Sequence, residues 1–286
     1  MWRQIALTLA IGAVNAGAGA KSTDCVSDSA ELERIAASAA GFETLHTLHV
    51  AVGGQTVLAE GFRGVSPSAP TNVKSASKTL IAAVVGAAID RGVIEGVDER
   101  VVEALPGALP AYPPRALDSL TLGHLLSMQA GLQRTSGEHY GAWVASDDWV
   151  ASALDRPMEG EPGGQMRYST GNTHLLSAIL QRRTGTPAYA LANKWLGDAG
   201  IRVSDWMIDP QGIAFGGNQV AMRPEALLAL GELYRRGGRT ATGERLLPEG
   251  WVEASWTIRG ARAGPTMAMG MAGSSVISPG RRATTA

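Results

Sequence analysis

The sequence predicts an α/β (α+β) fold, an antiparallel sheet flanked by helices plus a mainly helical lobe. Three observations predict it. Two runs with strand character, residues 45–52 and 55–62, flank Gly53-Gly54. An almost wholly apolar helical run follows at residues 75–90. From 101 to 200 the signals are helical and loop-like, with few strand signals. A sheet that enters first and a helical body that follows make a layered α and β architecture the natural solution. At 286 residues the chain is long enough for one large domain with a real core.

Composition narrows the function classes. Hydrophobic residues make up 45% and charged residues 18%, which places the chain among globular proteins. A net charge of -1 gives no basic face for nucleic acid. A single cysteine excludes an internal disulfide framework and a multi-cysteine zinc site. Only four of the 25 basic residues are lysine: Lys21, Lys74, Lys78 and Lys194. Codon bias explains most of that. Even so, a desolvated lysine can act as a base and an arginine cannot, so each lysine is worth checking for such a role.

The elements follow in order. Residues 1–20 read as a signal peptide: Arg3 supplies the basic start, residues 5–14 a short apolar stretch, and Ala18-Gly19-Ala20 a small-residue cleavage site. That predicts a periplasmic or secreted protein whose mature chain starts near Lys21, with Cys25 an incidental thiol. No other segment is long and apolar enough for a membrane span. Residues 28–40 read as a helix capped at Asp28 or Ser29 and stopped by Gly41. Gly53-Gly54 suits a type I′ hairpin turn, where both positions need positive φ. A proline- and serine-rich loop spans 64–71. The helix at 75–90 is apolar nearly all round, which predicts burial at the centre. Further helices are expected at 120–128, 146–154, 172–184, 189–197 and 224–236, the last with Pro224 in its first turn.

The chemistry concentrates in Ser75-Ala76-Ser77-Lys78, at the start of the buried helix. Residues three apart share a helix face, so Ser75 and Lys78 can touch. Burial disfavours the charged ammonium of Lys78, and a serine beside a neutral lysine is an activated nucleophile. The ordinary alternatives are Ser75 as an N-cap and Lys78 as a solvated first-turn charge. Lys74 and Ser77 lack the serine-to-lysine spacing. A second segment, Pro162-Gly163-Gly164-Gln165-Met166-Arg167-Tyr168-Ser169-Thr170-Gly171-Asn172, leads from a Gly-rich turn into a helix. It offers a phenol at Tyr168 that can pass a proton. On its own, such a tyrosine is more often structural. The five histidines are scattered without metal-ligand spacing. No G-x-S-x-G elbow, H-E-x-x-H or nucleotide loop occurs. The tryptophans from Trp143 onward suit core or pocket walls.

Taken together, these segments resemble the serine β-lactamase and penicillin-binding-protein superfamily. The class C-like branch of esterases, D-aminopeptidases and 6-aminohexanoate-dimer hydrolases fits best. The likeness rests on Ser75 to Lys78, Ile89-Asp90-Arg91-Gly92, Leu122 through Leu132, the Pro162 to Ser169 segment, and the Gly-Gly pair before Met222-Arg223-Pro224-Glu225. It covers roughly residues 45–256.

The resemblance implies a secreted serine hydrolase acting on an ester or amide through an acyl-enzyme on Ser75. Lys78 and Tyr168 would be the proton-transfer groups, and the Ser75 backbone N–H would be one oxyanion donor. It implies no cofactor and no metal. The substrate would be a small-molecule ester or amide, or a peptidoglycan-like molecule, with β-lactams included. A different class of function is an exported wall- or ligand-binding homologue without turnover. Residues 21–258 would form the hydrolase domain: 21–100 as sheet and nucleophile helix, 101–215 as the helical lobe, and 216–258 as a return segment. Two departures stand out. Position 170 is Thr where the family often has Asn, which makes Asn172 a candidate substitute in the substrate and oxyanion region. The late Lys/His-x-Gly strand is also missing from the text.

Residues 259–286 form an atypical tail without a clear strand or helix. In the frame one base earlier, the codons of residues 267–273 admit Gly-Tyr-Gly-Tyr-Gly-Trp, a Gly/aromatic stretch of the kind the family would place here. The expectation is a frame shift between about residues 256 and 267, with the C-terminal strands absent and the chain poorly stable and weakly active in consequence.

Overall fold

A computed structural model describes residues 29–257 and residue 259. Residues 1–20, read from the sequence as a signal peptide, Cys25 and the tail from 260 onward, with its expected frame shift, lie outside the described residues. The chain enters through helix α1 (Ser29–Ala40), then strands β1 (Thr47–Val52) and β2 (Gln55–Gly61). The strands pair antiparallel with Val52 opposite Gln55, and Gly53 and Gly54 turn the chain at φ 59° and 88°. This is the two-residue turn that the glycine pair predicts. The pairing skips Val57, because Val50 faces Leu58 while Ala51 faces Thr56. This bulge adds twist that alternation alone does not reveal.

Three short strands escape sequence reading. Thr71–Asn72 is β3, where a loop is expected. Val203–Trp206 and Val220–Met222 are β4 and β5. They form an antiparallel sheet in the order β3-β5-β4. With two to four residues each, they are too short to display an alternating pattern. The pairing has a structural consequence, because Val73 N–H donates to Val220 O at 2.9 Å. That bond brings the chain just before Ser75 against the loop just before β5.

Helix α2 (Ser77–Asp90) is the axis of the core. Leu80, Ile81, Ala83, Val84, Val85, Ala87 and Ala88 are all fully buried. Burying each large aliphatic side chain stabilises the fold by roughly 1.5–3 kcal/mol. Around it stand α3 (Val101–Ala104), α4 (Leu122–Leu126), α5 (Tyr140–Val144), α6 (Trp149–Leu154), α7 (Thr170–Thr184) and α8 (Ala188–Trp195). Helices α9 (Pro224–Arg235) and α10 (Trp251–Trp256) complete the described fold. Gly86 is required by contact: a Cβ there would lie 2.8 Å from the Trp251 ring. Helix α9 covers one side of the β1–β2 hairpin.

Helix α7 packs across α2, and its residues from Thr170 to Leu180 are buried. Beneath it, His174 Nε2 lies 3.0 Å from Asp209 Oδ2, with both side chains fully buried. Burial pushes the Asp209 carboxyl up. Hydrogen bonds from His174 and from the N–H groups of Ile213 and Gln211 outweigh that and hold it below the usual range. The Trp143, Trp149 and Phe215 rings surround His174 edge-on at 5.6–6.0 Å. These tryptophans are core, as their composition suggests. Among the described residues, no helix is long and apolar enough to cross a membrane.

Candidate active site

The turn bearing Ser75 differs from the helix start that the sequence predicts. Lys74–Ala76 forms a 3₁₀ turn, and α2 begins at Ser77. Ser75 is therefore not an N-cap, since the residue preceding α2 is Ala76 and no side chain caps it. Ser77 Oγ donates back to Lys74 O at 2.6 Å and caps no N–H group. The consequence is an exposed Ser75 hydroxyl with no capping duty.

Lys78 is not a solvated charge. It is 2% exposed, and burial pulls its ammonium down to about 7. Its Nζ makes three contacts: Gly217 O at 2.5 Å, Thr170 Oγ1 at 3.3 Å and Ser75 Oγ at 3.4 Å. A neutral amine has two N–H donors and one lone pair. The carbonyl of Gly217 can only accept, and Thr170 Oγ1 can accept as well. In the neutral form the lone pair is left to face Ser75 Oγ, whose O–H can donate to it. All three contacts can be satisfied in the neutral form, with the amine lone pair toward Ser75 Oγ.

Tyr168 completes the cluster. Lys78 Nζ lies 4.9 Å from the centroid of its ring, and the ring packs on Met128 and Met166. Burial pushes the phenol up, and contact with the Ser75 side chain only partly offsets that. A phenol held above its ordinary value stays protonated near neutral pH. It is therefore in a form that can donate a proton.

Asn172 is not brought to Lys78. It lies two residues beyond Thr170 on α7, about 200° around the helix, and is buried. The α7 side chain that hydrogen-bonds Lys78 is that of Thr170. Its placement depends on residues that sequence reasoning missed. Ser136 Oγ accepts the Thr170 N–H at 2.9 Å and lies 3.0 Å from Thr170 Oγ1. Thr135 Oγ1 accepts the Gly171 N–H at 2.8 Å. Two hydroxyls from a distant loop thus satisfy the first free N–H groups of α7, a task usually given to the helix's own cap. No local signal marks them, because they lie 34 to 36 residues away in sequence.

Gly217 was also missed as a site residue. A Cβ at Gly216 would lie 2.2 Å from Thr173 O, and one at Gly217 would lie 2.1 Å from Thr173 Oγ1 and 3.1 Å from Lys78 Nζ. Only glycine lets this loop approach α7 closely enough for its carbonyl to reach the lysine. Asn218 then ties the loop down by donating to the Tyr140 hydroxyl at 3.2 Å. Among the described residues, no group of three or more His, Cys, Asp or Glu side chains is placed to hold a metal ion. The late part of the chain, where the family would place its Lys/His-x-Gly strand, lies outside the described residues.

A family model described as Beta-lactamase matches residues 38–201, which span the Ser75 turn, the Tyr168 segment and α7. No curated protein sequence matches the chain. Several solved structures share its fold. A putative 6-aminohexanoate-dimer hydrolase from Bacillus anthracis aligns with a TM-score of 0.61 at 19% identity, over 78% of this chain and 61% of its own. EstCE1, a hydrolase with promiscuous acyltransferase activity, aligns at 0.64 and 19% identity, over 85% of this chain and 80% of its own. The octameric penicillin-binding protein homologue from Pyrococcus abyssi aligns at 0.64 and 16% identity, over 86% and 64%. The chain thus spans less than two thirds of the length of the first and the third of these proteins.

Proposed function

The chain belongs to the beta-lactamase family, and from that premise we propose that it is a serine hydrolase cleaving esters or amides through an acyl-enzyme on Ser75. The observation that carries this reading is the contact of Ser75 Oγ, at 3.4 Å, with a lysine that burial pulls down to about 7. A base with a value near working pH combines a useful neutral fraction with a useful driving force for proton transfer.

The steps follow from the donor inventory. Ser75 O–H gives its proton to the lone pair of Lys78 Nζ as Oγ bonds to the substrate carbonyl carbon. The carbonyl π pair moves onto oxygen, where the backbone N–H of Ser75 stabilises it. Collapse of the tetrahedral species reforms the carbonyl and breaks the bond to the leaving alcohol or amine. The leaving group takes the Tyr168 hydroxyl proton, which the Lys78 ammonium replaces. Water then attacks the acyl-enzyme and passes a proton to Lys78. Collapse of this second tetrahedral species breaks the carbon–Oγ bond, Lys78 returns the proton to Ser75 Oγ, and the acid is released with Ser75 and neutral Lys78 regenerated.

The substrate range of this reading includes β-lactams, simple esters and peptide-like amides. The signal-like residues 1–20 support action outside the cytoplasm. The test is labelling of the full chain with a fluorophosphonate and with a fluorescent penicillin, alongside hydrolysis of a nitrophenyl ester. Labelling that maps to Ser75 and vanishes in Ser75→Ala, together with turnover, is the expected result. Absence of both labelling and turnover in a folded chain would overturn the reading in favour of a binding-only homologue.

A further inference from the structure

Lys74 is one of only four lysines in the chain, and the acyl-transfer steps leave it without a role. Its backbone occupies the left-handed region at φ 48°. A residue with a side chain is strained there and stays only where its surroundings hold it. Here they do, because Asn72 Oδ1 accepts the Lys74 N–H at 3.0 Å and Ser77 Oγ donates to Lys74 O at 2.6 Å. The side chain is exposed, and its ammonium donates to Gln219 Oε1 at 3.0 Å.

Gln219 is itself left-handed, at φ 55°. It stands two residues after Gly217, whose carbonyl holds Lys78. Its Oε1 also accepts from Asn72 Nδ2 at 2.5 Å. Two donors on one amide oxygen fix which end of the amide faces Lys74, and they leave the NH₂ group as a donor. An ammonium has three donors, and Gln219 takes one of them. Among the described residues, none of the ion pairs involves Lys74. Two residues with left-handed backbones thus hold a cation and an amide in contact with each other beside the turn that bears Ser75.

We propose that Lys74 and Gln219 form an anion subsite at the mouth of the acyl site, and that preferred substrates carry a carboxylate close to the scissile bond. The inference deepens the hydrolase reading and rests on it. A cation already positioned by its surroundings spends little freedom on binding, and charge-assisted hydrogen bonds are the stronger kind. Lys78 cannot serve this purpose, since it is buried and its contacts are taken up by Gly217, Thr170 and Ser75.

The test compares 4-nitrophenyl glutarate, which carries a free carboxylate, with its methyl ester on the full chain. The readout is the ratio of the two kcat/KM values, so any general loss of stability or activity cancels. The wild type should favour the acid, and added salt should erode that preference. Lys74→Met should lower the ratio roughly tenfold. Lys74→Arg should retain most of it, and Lys74→Glu should drop it further, below that of Lys74→Met. A wild-type preference for the methyl ester, or a ratio unchanged in Lys74→Met, would overturn the subsite and leave the hydrolase reading standing. No turnover of either ester and no labelling at Ser75 would overturn the hydrolase reading, and the subsite with it.

Discussion

Helix α2 and strand β1 occupy the same half of the sequence and are covered very differently. From Leu80 to Ala88 every residue of α2 is at most 2% exposed or lies under Trp251, whereas all six residues of β1 are half-buried. Helix α2 is enclosed by α7, α8 and α10. Strand β1 has β2 along one edge and α9 over one side. The difference teaches where function has been placed. The lysine that serves as base in the proposed mechanism sits on the enclosed element, where burial moves its titration toward neutrality. The hairpin supplies support and carries none of the reacting groups.

The largest expected effect comes from Lys78, where enclosure and chemistry coincide. Lys78→Met should cut kcat/KM for a nitrophenyl ester by about a thousandfold or more, as expected for loss of a base acting on the nucleophile. In the wild type, kcat/KM should rise with pH through about 7 as the ammonium loses its proton. Stability is linked to the same group. The folded state releases the proton near 7 while the unfolded chain holds it to the ordinary value of 10.5. The unfolded state therefore binds more protons across that window, and stability rises with pH from about 7 to 10.5. The gain should be on the order of 4 kcal/mol and absent from Lys78→Met. Denaturant melts of both proteins at pH 6.5 and 9.5 measure it, and parallel pH profiles would break the assignment.

The next effect tests coverage directly. Ile81→Ala on α2 should cost about 2–5 kcal/mol, and Val50→Ala on β1 about 1 kcal/mol or less, by urea unfolding. Equal costs would mean that β1 is as well covered in solution as α2. Gly217→Ala should cost about 1–3 kcal/mol by overpacking against Thr173, with activity falling further than stability because the carbonyl leaves Lys78. The smallest expected change is Gly53→Ala at the hairpin tip. No heavy atom would lie within 4 Å of the added Cβ, so the cost is backbone strain alone, about 1 kcal/mol. Turnover should be unchanged, since the hairpin carries no reacting group.

Much of the fold was legible because its signals are local. The glycine pair marks the hairpin, the apolar run marks α2, and Pro224 opens α9, which ends within one residue of its expected limit. Strands β3, β4 and β5 were not legible, since two to four residues cannot show a period. The site divides in the same way. Ser75 and Lys78 are neighbours in sequence and could be paired by spacing. Thr170, Ser136 and Gly217 reach Lys78 or its partners only through tertiary packing, so no spacing rule could find them. Asn172 illustrates the limit: it carries a suitable side chain, but a 200° turn of helix separates it from the lysine. Lys74 looked inert for a similar reason, since its strained φ is invisible in sequence.

The close approach of the Gly216–Gly217 loop to α7 also bears on how the protein can change over generations. Every other amino acid puts a carbon where Thr173 already lies. In a saturation library screened for turnover, these two positions should come back unchanged, whatever substrate is offered. Asn218 and Gln219, one and two steps further on, point their side chains toward Tyr140 and Lys74. New specificities would therefore be expected to arise on the outer half of this loop, while the inner half stays fixed as the hinge on which any such variation depends.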